Sequence, residues 1–274
     1  MTWIASGDRA SMNDGESDSG SVGNNPERRM IVSVAWPIAK LAPSLAANEA
    51  HVWLADLRQP ATRLAELAAT LTTDEQERAA RFHFSEQQNG FIAGRGLLRE
   101  LLGGYLNRPA AALRFEQGVH GKPILAGFDA AAGLHFNLSH SGKRVLYAVA
   151  RRELGVDLEC MDRTVSYAAV AERVCSPQEW AAFQALPIEQ AHEAFFTCWT
   201  RKEAMAKALG GGLASGLRTL NVCFPAVGTL DDRVTRRDGS GREWSVLSLR
   251  LEPGWSGALA MAGTGWRWRS GRWG

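Results

Sequence analysis

The chain has 274 residues, 45% of them hydrophobic and 22% charged, and 31 Lys and Arg against 29 Asp and Glu leave a net charge of +2. This supplies enough apolar residue for a large core and excludes a wholly disordered, collagen-like or mucin-like chain. The near-neutral balance argues against a protein held on nucleic acid or membrane by bulk charge, but leaves room for a local anion site.

Residues 5–29 are rich in Gly, Ser, Asp and Asn and read as a disordered tail, with Met30 as an alternative start. The first residues lack a basic start followed by an apolar stretch, and no run of about 18 apolar residues occurs, so a cytoplasmic protein is expected. Four cysteines, Cys160, Cys175, Cys198 and Cys223, form neither a C-x-x-C nor a zinc-finger spacing with His. They read as reduced thiols. Residues 1–50 are expected to be a weakly ordered extension.

The folded body is expected to start near His51. There HVWLADL alternates like a half-buried strand, with Val52, Leu54 and Asp56 opposite Trp53, Ala55 and Leu57. A long helix is expected over 86–106, with Leu97, Leu98, Leu101, Leu102 and Tyr105 on its apolar stripe. A second is expected over 189–209, with Phe195, Cys198, Trp199 and Met205 inward. Each ends in glycines, Gly103-Gly104 and Gly210-Gly211-Gly212, read as stop signals, and each is followed by a strand-like LRFE (113–116) or LRTL (217–220). Corresponding positions stand 103 to 104 residues apart, which suggests two copies of one unit joined near residue 152. Further strands are read at 135–138, 144–150, 154–159, 220–224, 244–251 and 258–263. The short hairpin spacings favour an α+β fold with antiparallel sheets. The expected organisation is an N-terminal half over 51–152, a C-terminal half over 153–263 and a basic, aromatic tail over 264–274.

Four segments carry chemistry. In GVDLE (155–159) strand alternation turns Val156 and Leu158 inward and Asp157 and Glu159 outward, about 6.6 Å apart along the strand. Two carboxylates at that spacing suit one hard divalent cation, and oxygen-only ligands favour Mg²⁺. In WTRKEAMAKALGGGL (199–213) Glu203 and Lys207 are i,i+4 and share a helix face, with Lys202 about 100° round from Glu203. A third carboxylate beside a lysine suits a metal site that handles phosphate. FNLSHSGKR (136–144) leaves a strand into a Ser/Gly turn where backbone N–H groups and His140 can hold an anion. In HGKP (120–123) Lys122 sits on a loop defined by its flanking Gly and Pro, within reach of a phosphate.

The order and spacing of these four segments resemble those of the Sfp-type 4′-phosphopantetheinyl transferases, over about 51–263. Trp199 and Lys202-Glu203-Ala204 look like the subgroup with Trp and Lys-Glu-Ala rather than the one with Phe and Lys-Glu-Ser. The resemblance implies a monomer built as a pseudo-two-fold pair of similar α+β halves, each a long helix on a small antiparallel sheet, with coenzyme A bound in the cleft between them. It implies Mg²⁺-dependent transfer of the phosphopantetheine arm to a serine of an acyl or peptidyl carrier protein, with release of adenosine 3′,5′-bisphosphate. Fatty-acid, polyketide and peptide-synthetase carriers, or one dedicated carrier-domain reductase, would look the same. By motif position Asp157 and Glu159 would hold the metal. Glu203 would complete its shell or act as general base, and Lys207 would stabilise the leaving phosphate. Ser139, His140 and Lys202 would contact coenzyme A, with Lys122 at its nucleotide end. Where some relatives carry two lysines for the 3′-phosphate, this chain has Glu75 and Arg78, so Arg78, Arg81 and Arg95 are the candidates there.

The rival from another class is a nucleic-acid binder. GWRWRSGRWG (265–274) interleaves Trp and Arg as a stacking, phosphate-gripping segment would, although a final edge strand explains it more simply.

Overall fold

The computed structural model describes residues 36–39, 42–118, 121–161, 167–210, 216–222 and 233–274. The expected N-terminal tail, Met30, His120, Gly211, Gly212 and Cys223 lie outside the described residues.

The described chain forms four layers, helix on sheet on sheet on helix. The first half contributes strand β1 (Ile38–Ala39), strand β2 (Glu49–Asp56), helices α1 (Ala61–Ala69), α2 (Thr73–Ala80) and α3 (Ser85–Leu106), a hairpin of β3 (Phe115–Gln117) and β4 (Pro123–Leu125), and strands β5 (His135–Ser141) and β6 (Arg144–Ala150). The second half contributes β7 (Leu154–Cys160), α4 (Tyr167–Val174), α5 (Pro177–Gln184), α6 (Ile188–Leu209), β8 (Arg233–Arg237), β9 (Glu243–Ser248), β10 (Trp255–Ala262) and β11 (Arg267–Trp273).

The two long helices stand where the sequence places them, each 22 residues long and each starting 103 residues from its counterpart. Their apolar faces bury against separate sheets. Leu97, Leu98, Leu101 and Leu102 of α3 pack with Trp53, Val145 and Tyr147. Phe195, Cys198 and Met205 of α6 pack with Trp244, Val246 and Ala260. A third cluster joins the sheets back to back, with Val52, Leu54, Leu146 and Ala148 facing Val156, Leu158, Leu259 and Met261. The halves are thus fused through a continuous apolar layer, which removes water from both sheet faces.

Three local expectations differ from the structure. Strand β2 is buried on both faces rather than one, because α3 covers one side and the second sheet the other. Helix α3 runs through Gly103-Gly104 and stops at Asn107, whose φ of 52° gives the left-handed cap. Helix α6 does stop at a glycine, Gly210, with φ 72°. The segment at 217–220 is no strand: Leu217–Thr219 is a 3-10 turn, and 220–222 lies outside any strand.

The last strand holds the largest difference. The sheet order is β1-β11-β2-β6-β5, with β11 parallel to β2 through pairs such as Arg269↔His51 and Arg272↔Leu54. The 264–274 segment is neither a tail nor an edge strand. It returns to the first half and fills an interior position of its sheet. Trp266 and Trp273 are buried, and Arg269 and Arg272 pair with Glu49 and Glu252. The surface for stacking bases is therefore spent on the core, which removes the physical basis of the nucleic-acid reading.

Candidate active site

Strand β7 lies between β10, its ladder partner, and β5, which meets it through side chains. Alternation along β5 sends Asn137, Ser139 and Ser141 toward β7. Asn137 Oδ1 accepts the Val156 N–H at 2.8 Å. Ser139 Oγ donates to Asp157 Oδ1 at 2.8 Å, and Ser141 Oγ donates to Glu159 Oε2 at 3.0 Å while accepting the Cys160 N–H. The two halves are therefore stitched together at the acidic strand by a period-two set of polar side chains.

Helix α6 crosses β7 at Gly155. A Cβ there would stand 2.1 Å from the Ala204 carbonyl oxygen and 2.4 Å from the Ala208 nitrogen, so only glycine lets the helix backbone settle this close. The close approach brings one face of α6 onto the strand. Lys207 Nζ donates to Asp157 Oδ1 at 2.6 Å and to Ser139 Oγ at 2.8 Å, and Trp199 Nε1 donates to Glu159 Oε1 at 3.2 Å. Glu203 sits midway between Trp199 and Lys207, four residues from each, and is buried.

Two buried carboxylate oxygens, Asp157 Oδ2 and Glu203 Oε1, have no hydrogen-bond partner among the described residues. Burial, with Asp157 and Glu159 adding like charge against the relief from Lys207, pushes the Glu203 carboxyl up to about 7. Buried, unpartnered carboxylate oxygens are costly, and a hard cation is the partner that their chemistry fits.

On the other face of β5, His140 lines a cleft with Arg78, Arg95, Phe91, Gly121 and Pro123. Ser139 and His140 thus face different sides of the strand. Burial, with Lys207 nearby, holds the His140 imidazole below its ordinary value. Arg78 lies over the Phe91 ring at 5.3 Å and Arg95 over Phe115 at 5.2 Å. Arg95 also stands 3.4 Å from Glu75, and its buried Nη1 has no hydrogen-bond partner among the described residues. Glu75 grips Arg99 Nε at 2.7 Å and accepts the Thr72 N–H that starts α2, so the acidic residue at the lysine position anchors the arginines of α3. Arg81 is exposed and reaches Glu77 at 4.0 Å along its own helix, apart from the cleft. Lys122 Nζ donates to the carbonyls of Leu154 and Lys207 at 3.1 and 3.3 Å, which ties its loop to both β7 and α6.

Lys202 corrects the sequence reading. It is fully buried, pairs with Glu179 Oε2 at 2.7 Å and donates to the carbonyls of Leu217 and Leu220. The rotation from Glu203 that the sequence shows carries it into the core behind α6, where its ammonium is engaged by Glu179 and two carbonyls. Glu179 also accepts the Ser176 and Val222 N–H groups. Cys175 and Cys198 lie beside it, their sulfurs 3.9 Å apart, in a trio with ligand atoms within 4.8 Å of one another. Both Glu179 oxygens are already engaged and an ammonium fills the cationic position, so the trio is a buried ion pair with thiol neighbours. Asn137, Ser141, Glu179 and Trp199 as the partner of Glu159 were missed in the sequence. Only the period-two spacing of Asn137 and Ser141 with Ser139 hinted at two of them.

A family model described as 4′-phosphopantetheinyl transferase superfamily matches residues 153–260, and one described as 4′-phosphopantetheinyl transferase, N-terminal, matches 59–152. The 4′-phosphopantetheinyl transferase HetI of Nostoc sp. is 40% identical over 225 residues, covering 82% of this chain and 92% of the relative. The 4′-phosphopantetheinyl transferase Sfp of Bacillus subtilis is 27% identical over 70% of this chain and 82% of its own length. The L-aminoadipate-semialdehyde dehydrogenase-phosphopantetheinyl transferase of Homo sapiens is 28% identical over 55% of this chain and 52% of its own. With both halves matched and the acidic strand, the paired helix and the cleft in place, the chain belongs to the Sfp-type 4′-phosphopantetheinyl transferases, which move the phosphopantetheine arm of coenzyme A onto carrier proteins.

Proposed function

We propose that Asp157, Glu159 and Glu203 hold a Mg²⁺ together with the pyrophosphate of coenzyme A, and that Glu203 takes the proton of the carrier serine. The observation that carries this reading is the pair of orphaned oxygens, Asp157 Oδ2 and Glu203 Oε1, beside Lys207. When bound, the cation offsets charge on the pyrophosphate and the developing leaving group. The serine oxygen attacks the β-phosphorus of coenzyme A. The bond from that phosphorus to the bridging oxygen breaks, and adenosine 3′,5′-bisphosphate leaves. A serine hydroxyl is a weak nucleophile, and an ionised Glu203 carboxylate within reach of it supplies the proton acceptor that the attack needs. Lys207 releases Asp157 in part to meet phosphate oxygens. An ammonium has three donors, and Lys122, with two on carbonyls, keeps one for the nucleotide end. His140 with Arg78 and Arg95 lines the cleft for the remaining phosphate, and Ser139 holds Asp157 and Lys207 in register. We propose that it works as a monomer, a reading supported by the fusion of the two halves through one apolar layer, and that it works in the cytoplasm.

The test is mass spectrometry of purified apo acyl and peptidyl carrier proteins incubated with the enzyme, coenzyme A and Mg²⁺. A phosphopantetheine mass gain that is lost in Asp157→Ala supports the assignment. Glu203→Gln should keep coenzyme A binding and lose most turnover; unchanged turnover removes Glu203 from the chemistry.

A further inference from the structure

The site holds its two strand carboxylates by parallel means. Asp157 takes one donor from β5, Ser139, and one from α6, Lys207. Glu159 takes one donor from β5, Ser141, and one from α6, Trp199. The spacing on every element matches: two residues along β5, two along β7, and Trp199 and Lys207 one helical turn to either side of Glu203. The two sets differ in the donors supplied by α6. Asp157 receives the Lys207 ammonium, and Glu159 receives an indole N–H and a hydroxyl.

A carboxylate oxygen has two lone pairs. An indole N–H on Oε1 and a hydroxyl on Oε2 hold the plane of the Glu159 carboxylate. Neither of these two donors brings a positive charge that would repel a cation. The indole is itself held: its ring stacks on Phe195 at 6.1 Å with 27° between planes, and Phe195 is buried in the core. The donor is therefore rigid, which an ordinary surface side chain would not be.

We infer that Trp199, with Ser141, is a positioning residue that orients Glu159 for the divalent cation, so that the indole N–H rather than the ring alone is what position 199 requires. This rests on the assignment of Asp157 and Glu159 to the metal. It gives a physical content to Trp against Phe at this position: phenylalanine can keep the stack on Phe195 but offers Glu159 Oε1 no N–H. Groups that orient a metal ligand typically contribute 10- to 100-fold in metal affinity or activity.

The experiment is Mn²⁺ binding to the full chain with coenzyme A present, followed by the loss of the free-Mn²⁺ electron paramagnetic resonance signal. Trp199→Phe and Ser141→Ala should each weaken Mn²⁺ binding, on the order of 10-fold for Trp199→Phe, with the thermal midpoint of the metal-free protein little changed. At saturating Mn²⁺ the KM for coenzyme A should stay at the wild-type value. In a Glu159→Gln background Trp199→Phe should add no further loss, because the group that it orients no longer carries the ligand charge. Mn²⁺ affinity of Trp199→Phe within about twofold of wild type, or an equal loss in the Glu159→Gln background, overturns the inference. Asp157→Asn separates the two levels. If it abolishes Mn²⁺ binding while Trp199→Phe leaves it unchanged, only the role of Trp199 fails. If Asp157→Asn leaves binding intact, the metal assignment itself fails and takes this inference with it.

Discussion

Replacing Gly155 by alanine tests whether the contact between α6 and β7 builds the active site. The added Cβ would lie 2.1 Å from the Ala204 carbonyl oxygen, 2.4 Å from the Ala208 nitrogen and 2.9 Å from the Lys207 carbonyl carbon. All three are helix backbone, so no side chain can swing away. Reaching ordinary contact distance requires the helix to recede by about 1 Å or more at that turn. Overpacking of this kind costs about 1–3 kcal/mol, and at about 2–4 °C per kcal/mol the thermal midpoint should fall by several degrees. The functional effect should be larger. The same turn carries Lys207, which stands 2.6 Å from Asp157, and Glu203. A displacement of ~1 Å in a positioned site costs on the order of 100-fold in rate. Circular dichroism melts and carrier-modification kinetics of Gly155→Ala give both numbers. A variant with the wild-type melting point and turnover would refute the claim that this contact sets the geometry.

Three further outcomes are expected. Lys202→Met should destabilise the protein by about 3–5 kcal/mol, because it leaves Glu179 buried without its cation. Denaturant unfolding checks this, and the KM for coenzyme A of the surviving folded fraction should be unchanged, since Lys202 does not face the cleft. Metal binding at pH 7 should release about 0.5 proton, because a Glu203 carboxyl near 7 is half protonated and must ionise to serve as ligand. Calorimetry in buffers of different ionisation enthalpy should show the release vanish by about pH 9. A raised carboxyl binds more protons folded than unfolded. Its contribution to metal-free stability is therefore present below the unfolded value of 4.5 and is lost as pH rises through about 7. Arg95→Ala should raise the KM for coenzyme A about 10- to 100-fold, the worth of a charge-assisted bond, and change that for 3′-dephospho-coenzyme A far less; equal effects on both would remove Arg95 from the 3′-phosphate.

The chemistry was legible where it follows local periodicity. Period two alone puts Asp157 and Glu159 on one side of β7, and period 3.6 alone puts Glu203 and Lys207 on one face of α6. The same rules find both long helices, α3 and α6, and the near-constant offset between the halves. Lys202 shows their limit. Periodicity gives its angle from Glu203 but not which angle faces the sheet, and the packing of Gly155 against α6 decides that.

The sequence by itself determined the elements, their order and the residue types that a phosphate and metal site needs, because those are written in neighbours up to about four residues apart. Only the tertiary structure decided which donors meet which carboxylates. Ser139 and Ser141 meet Asp157 and Glu159 across 18 residues of chain, and Trp199 meets Glu159 across 40. It also decided that β11 returns from the end of the chain to lie between β1 and β2. The physical reason is the same in each case. Burying both faces of two sheets in one body fixes contacts between distant segments, and no local pattern carries that requirement.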